Sequence, residues 1–172
     1  METKQELAYG VGDWLVHARY GVGQIEAVEE MFFAGEDQLC YRVKTKDSTF
    51  WAPVDQVDNK RIRPLADPER IEKALKVLER PSEPLSKDYK ERDKQIKARL
   101  DRTLRSKMRV IRDLTSYDKI NGLSKSNRNT LDQIRQGVLE EWSVCMHIPL
   151  NDARQRLDQL LRENLAVAVQ KE

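Results

Sequence analysis

The sequence predicts an α+β protein: a small antiparallel β-barrel of SH3/Tudor-like size over residues 1–65, followed by an all-α helical bundle domain over residues 66–172. Three observations predict it. Five of the seven glycines and eight of the eleven aromatic residues lie before residue 66. Apolar residues there recur with period two, the signature of half-buried strands, and after Pro64 the spacing changes to that of amphipathic helices. The charge changes sign at the same place: residues 1–65 carry eight Lys+Arg against eleven Asp+Glu, a net of −3, and the remainder carries a net of +5.

The strands follow in order. Trp14-Leu15-Val16-His17-Ala18 alternates in polarity and is closed by Arg19-Tyr20-Gly21, and residues 22–29 form a second strand of mixed polarity. Gly35-Glu36-Asp37 turns the chain, after which Leu39, Tyr41 and Val43 face one way and Gln38, Cys40, Arg42 and Lys44 the other. Lys46-Asp47-Ser48 turns it again into a short strand over residues 49–52, ended by Pro53, which has no N–H to give a ladder. Arg61-Ile62-Arg63 before Pro64 supplies the last strand.

The helices announce themselves by their ends. Asp67 is an N-cap with Pro68 at the first helical position, and Ile71, Ala74, Leu75 and Leu78 make one apolar stripe as far as Arg80. Pro81-Ser82-Glu83-Pro84 stops it. Ser86 is expected to cap a second helix with Tyr89, Ile96, Leu100 and Leu104 on its stripe, and a break near Arg102-Thr103 separates it from a third carrying Met108, Ile111 and Leu114. Asn121-Gly122 ends that helix, and Ser124 caps the next, where Leu131, Ile134, Val138, Leu139 and Trp142 face inward. Pro149-Leu150-Asn151 punctuates before a last helix built on Leu157, Leu160 and Leu161.

Composition excludes several function classes. Charged residues make up 35 % and apolar residues 39 %, no apolar run approaches a membrane span, and residues 1–6 are too polar and short for a signal peptide. A soluble protein of the cytoplasm is expected, with no membrane partner. Cys40 and Cys145 read as small buried hydrophobes in a reducing compartment, not as a disulfide framework. His17 and His147 are isolated from any ligand motif, and no nucleophile-elbow, Walker or dinucleotide fingerprint occurs. Gly10-x-Gly12 and Gly21-x-Gly23 read as turns. No catalytic residue, metal ligand, cofactor or small-molecule substrate is assigned, and an enzyme is not expected.

Two surfaces carry the positive signal. Residues 87–112 hold eleven basic and four acidic residues, a net of +7 that the whole-chain net of +2 conceals. Such a stretch suits a surface that tracks phosphates, with Lys87, Lys90, Arg92, Lys94 and Lys97 on the backbone and Tyr89 placed to stack on or wedge against a base step. A solvated helix face is the plainer reading of the same run. In the barrel, an open strand edge can accept an extended strand from a partner, flanked by the aromatic pairs Phe32-Phe33 and Phe50-Trp51, which otherwise read as core.

The run Val11-Gly12-Asp13-Trp14-Leu15-Val16-His17 with Tyr20-Gly21-Val22-Gly23 resembles the opening of the RNA-polymerase-interacting domain shared by CarD/CdnL-type bacterial transcription regulators and the transcription-repair coupling factor. Ala52-Pro53-Val54 followed by residues 59–63 is similar to its end. The helical part resembles the CarD side only: residues 69–78 its first helix, Glu83-Pro84 its interhelix turn, Val110-Ile111-Arg112-Asp113-Leu114 its V-V-R-D-L motif, and Gly122-Leu123-Ser124 its G-L-S. The resemblance covers about residues 9–165.

That resemblance implies a non-catalytic, nucleoid-associated regulator. Its barrel binds the RNA polymerase β subunit by pairing strand edges, and its helices contact promoter DNA in the minor groove and along the phosphates, stabilising the open complex. The implied polymerase-binding residues are Met31, Phe33, Leu39, Tyr41, Arg42, Trp51 and Pro53, with residues 39–44 offering the edge and residues 30–34 and 49–51 flanking it. The implied DNA-binding residues are Lys87, Tyr89, Lys90, Arg92, Lys94 and Lys97. Two departures stand out. Met31 and Trp51 occupy positions where the family commonly places arginine, and Glu83-Pro84-Leu85-Ser86-Lys87-Asp88-Tyr89-Lys90 lacks the tryptophan of the family's E-P-x-N-W-x-R-R-Y pattern. An adaptor that binds polymerase, or another strand-donating partner, without touching DNA is the alternative.

Overall fold

The structure, a computed structural model, describes residues 7–58 and 61–169, with the side chains of Phe33 and residues 167–169 outside that description. Residues 59 and 60, within the stretch that resembles the end of the polymerase-interacting domain, also lie outside it. The chain divides between Leu65 and Ala66 into two compact units.

The first unit is an antiparallel sheet of β1 (Trp14–His17), β2 (Gly21–Phe33), β3 (Glu36–Thr45), β4 (Thr49–Pro53) and β5 (Ile62–Pro64), ordered β4-β3-β2-β1-β5. Turns join β1 to β2 and β3 to β4 where polar clusters predict them, but the β2–β3 turn sits at Ala34-Gly35 with Glu36 and Asp37 already in β3. Gly21 and Gly23, expected to mark a turn, belong to β2, which runs longer than its sequence suggests. Its core is Leu15, Ile25, Tyr41, Val43, Phe50, Ala52 and Ile62, with Tyr41 and Val43 wholly buried. Alternation along β3 puts Tyr41 and Val43 on that face and Arg42 on the other, as the sequence predicts. A register shift between Ile25 and Ala27 bulges β2 at Glu26 and increases local twist. Gly23 permits the close approach of β2 to β3: a Cβ there would meet the Val43 side chain at 2.7 Å. The sheet curls until the rings of His17 and Phe50 lie 4.9 Å apart, yet no ladder joins β4 to β5 among the described residues. Among the described residues the barrel is therefore open, with β4 and β5 as its edges.

The second unit comprises α1 (Pro68–Leu75), a 3-10 turn (Lys76–Glu79), α2 (Tyr89–Arg99), α3 (Leu104–Asn121), α4 (Lys125–Met146) and α5 (Leu150–Val169). Asp67 accepts from the Arg70 N–H, Thr103 from that of Ser106 and Ser124 from that of Asn127, each capping a helix start. Gly122, at φ 72°, ends α3 in a backbone region glycine adopts freely. One cap differs from expectation: Asp88, not Ser86, caps α2 by accepting from the Glu91 N–H, while the Ser86 hydroxyl accepts from the Asp88 N–H. Met108, Ile111, Leu114, Val138, Leu139, Trp142 and Leu157 form the centre of the core. No helix among the described residues is long and apolar enough to cross a membrane, and no group of three or more His, Cys, Asp or Glu side chains there could hold a metal ion.

Candidate protein- and nucleic-acid-binding surfaces

In the β unit the ladder decides which residues can meet a partner. Arg42 is paired in register with Ala27 on one side and Trp51 on the other, Cys40 with Glu29 and Pro53, and Gln38 with Met31. Residues directly opposite share a face, so Met31, Glu29, Arg42, Trp51 and Pro53 lie together on the face away from the core. Trp51 is 44 % exposed and is steadied by its indole N–H, which donates to Glu29 Oε1 at 2.6 Å. Arg42 reaches the same carboxylate at 3.4 Å and Glu26 at 3.7 Å. The result is an indole platform held open by an ion-paired frame.

Two of the expected polymerase contacts fall elsewhere. Tyr41 is 0 % exposed, its hydroxyl accepting from the Tyr9 N–H and its ring meeting that of Tyr9 edge-on, so it is a core residue and is removed from the candidate surface. Leu39 lies on the Tyr41 face and is half-buried. Phe33 has its backbone in β2, but its side chain lies outside the described residues.

The edge also moves. Residues 40–44 of β3 pair with β2 on one flank and β4 on the other, so β3 has no free edge there. Among the described residues the free flank belongs to β4. Val54 N–H donates to the Leu39 carbonyl and Thr45 N–H to that of Ser48, so by alternation Phe50 and Ala52 direct their backbone groups at β3 while Thr49, Trp51 and Pro53 direct theirs outward. Pro53 offers only a carbonyl.

In the helical unit the basic run sorts into free and occupied cations. Lys87 and Lys90 are exposed and make no side-chain ion pair among the described residues. Lys97 is bound to Asp93 at 2.7 Å, and Lys94 lies 3.9 Å from Glu91. Arg92 overturns its assignment: it is 5 % exposed, its Nε donating to Asn127 Oδ1 and its Nη1 to the carbonyls of Ser86 and Lys87 and to the Tyr117 hydroxyl. Its guanidinium stacks on Tyr117 at 4.7 Å and lies 5.9 Å from the Tyr89 ring centre. Arg92 is a clamp that ties the start of α2 to α3 and α4. Helical spacing contained the signal, since position 92 falls on the stripe of Tyr89 and Ile96. Tyr89 itself is 48 % exposed beside Lys90.

A second arginine cluster surrounds Asp113, whose carboxylate accepts from Arg99 at 2.7 Å, from Arg112 at 2.8 Å and from the Glu83 N–H at 2.9 Å. Glu83 receives Arg109, and that hydrogen bond, with the nearby Arg99 and Arg112, holds its carboxyl below the usual carboxylate range despite the opposing cost of burial. These contacts fasten the segment between α1 and α2 to α3. Nothing in local sequence patterning revealed them.

Residues 9–66 match the model of the CarD-like/TRCF RID domain, and residues 73–158 match that of the CarD C-terminal domain. The chain belongs to the CarD family. It is 26 % identical over 146 residues to YdeB of Bacillus subtilis (strain 168), named as a candidate transcription factor, across 81 % of this chain and 94 % of that protein. Within a CarD frame the Asp113 hub accounts for the arginine and aspartate of the V-V-R-D-L-like segment: both are buried and bonded to one another. The same frame sets Trp51 and Met31 together on the outward face of the sheet, where the resemblance puts arginines.

Proposed function

We propose that this CarD family member is a cytoplasmic, nucleoid-associated transcription regulator without catalytic activity, which binds the RNA polymerase β subunit through the free edge of β4. The observation that carries the reading is the juxtaposition of that edge with the Trp51–Glu29–Arg42 platform. Backbone groups of Thr49, Trp51 and Pro53 pair with a strand of the partner, supplying affinity, and the side chains of Met31, Arg42, Trp51 and Pro53 select it. Trp51 replaces an ionic contact with stacking on an indole already fixed by Glu29, which lowers the entropy lost on binding.

The helical unit contacts promoter DNA through Lys87 and Lys90, with Tyr89 presented by the Arg92 clamp as a wedge at a base step, and this contact modulates open-complex stability. Lys94 and Lys97, each beside its own carboxylate, contribute less to neutralising phosphates. Open-complex lifetime on a reconstituted promoter tests this half: addition of the protein changes it, and Tyr89→Ala reduces the change. An unchanged lifetime contradicts it.

One observation favours the adaptor as a second reading. Of the five basic residues assigned to DNA, Arg92 is internal and Lys94 and Lys97 lie beside carboxylates, leaving Lys87 and Lys90. Retention on polymerase with no measurable affinity for duplex DNA would select it.

A further inference from the structure

One arginine-rich concavity of the helical unit is lined by neither Lys87 nor Lys90. A cavity of about 350 Å³ opens between the 3-10 turn and the start of α3, and its wall includes Arg80, Arg99, Arg105, Arg109 and Arg112 against the two carboxylates Glu83 and Asp101. Its volume lies within the range of small-ligand pockets. Three of these arginines are engaged with carboxylates: Arg99 and Arg112 with Asp113, and Arg109 with Glu83. Arg80 and Arg105 are exposed and make no side-chain hydrogen bond or ion pair among the described residues. Arg109 Nε is screened from solvent and has no hydrogen-bond partner.

Helix electrostatics add an independent observation. The N-terminus of a helix carries partial positive charge and favours acidic neighbours, whereas the first turn of α3 holds no acidic residue and bears Arg105. Asp101, just before the helix, accepts from the Thr103 N–H at 2.6 Å. A cationic side chain at the positive end of an 18-residue helix, facing further arginines, is an arrangement that an incoming dianion would relieve.

We infer that this pocket is a phosphate-binding site, taking a phosphate ester through the unpaired guanidinium groups of Arg105 and Arg80. Guanidinium groups suit this because they present paired donors to phosphate oxygens and stay charged at any physiological pH. The inference goes beyond the proposed DNA contact and does not depend on it.

Calorimetric titration of the full chain with inorganic pyrophosphate at low salt tests it. The wild type saturates with one site; Arg80→Ala/Arg105→Ala weakens binding by about tenfold or more, as expected for two lost charge-assisted contacts, while Lys87→Ala/Lys90→Ala stays within about twofold. Since neither Arg80 nor Arg105 has a side-chain partner, the thermal midpoint of the pocket variant matches the wild type. The same proteins titrated with a 20-base-pair duplex, about two helical turns, identify the source of the phosphate. Loss of duplex affinity in the pocket variant assigns it to the DNA backbone, and retained duplex affinity assigns it to a free phosphorylated small molecule. Failure of pyrophosphate to saturate, or equal losses in the two double variants, would overturn the site.

Discussion

The two units handle charge in opposite ways. In the β unit two charges of the outward face, Glu29 and Arg42, are spent on fixing an aromatic side chain. In the helical unit charge is abundant and some of it is turned inward: Arg92, Arg112, Asp113 and Glu141 are buried. The lesson is that the sign and number of charges in a segment do not locate its binding surface. Residues 87–112, with a net of +7, include a structural clamp at Arg92 and two arginines, Arg99 and Arg112, that are spent on the buried carboxylate of Asp113, whereas the proposed docking surface lies on the β unit, whose net charge is −3.

Stripping a buried partner from the helical unit has the largest expected effect. Asp113→Ala leaves Arg99 and Arg112 without their carboxylate and removes the acceptor for the Glu83 N–H, so the helical unit is expected to lose about 3–5 kcal/mol in urea unfolding. A loss below about 1 kcal/mol, the scale of an exposed pair, would show that the hub is solvated and that the inward charge is incidental. Next in size is Trp51→Ala, which removes an exposed side chain: unfolding is nearly unchanged, and affinity for polymerase falls by about 2 kcal/mol, roughly thirtyfold. The reverse pattern, lost stability with intact binding, would make Trp51 a packing residue.

Smaller effects sharpen the division between free and occupied cations. Lys87→Ala/Lys90→Ala should flatten the dependence of log affinity on log salt by about one for each phosphate contact removed, whereas Lys94→Ala/Lys97→Ala changes it less. Equal slopes for the two pairs would return the basic run to a uniform solvated face. The smallest effect belongs to the β unit and pH. Burial, and then the neighbouring Arg61 and Arg19, lower the His17 pKa, and its Nδ1 accepts from the N–H groups of Arg19 and Tyr20. The unfolded chain therefore binds the proton more readily, and stability falls as pH drops through the unfolded value of about 6.5. His17→Gln should remove that slope between about pH 7 and pH 5, read by thermal melting.

How much was legible in the sequence depended on whether a feature is local. Asp67 with Pro68, Ser124, Gly122 and the break before Leu104 were readable because caps and stops act within one turn of chain. The alternation of β3 was readable for the same reason, and it contained the warning that Tyr41 and Arg42 could not both face a partner. Strand order was not readable: that β4, not β3, offers the edge follows from pairings set by hairpin order and curl, which no single strand records. Charge without face misleads at Arg92, which the Tyr89–Ile96 stripe turns inward onto Asn127 and Tyr117. The Asp113 hub and the arginine pocket join residues 77–113 through tertiary contacts, so composition could show their cations but not their partners.

Amide hydrogen exchange of β4, free and bound to RNA polymerase, reads strand-edge docking residue by residue. Phe50 and Ala52 direct their backbone groups at β3 and are expected to exchange slowly in both states, while Thr49 and Trp51 exchange fast in the free protein and become protected on binding. Persistent fast exchange at Thr49 and Trp51 in a saturated complex would contradict strand-edge docking through β4.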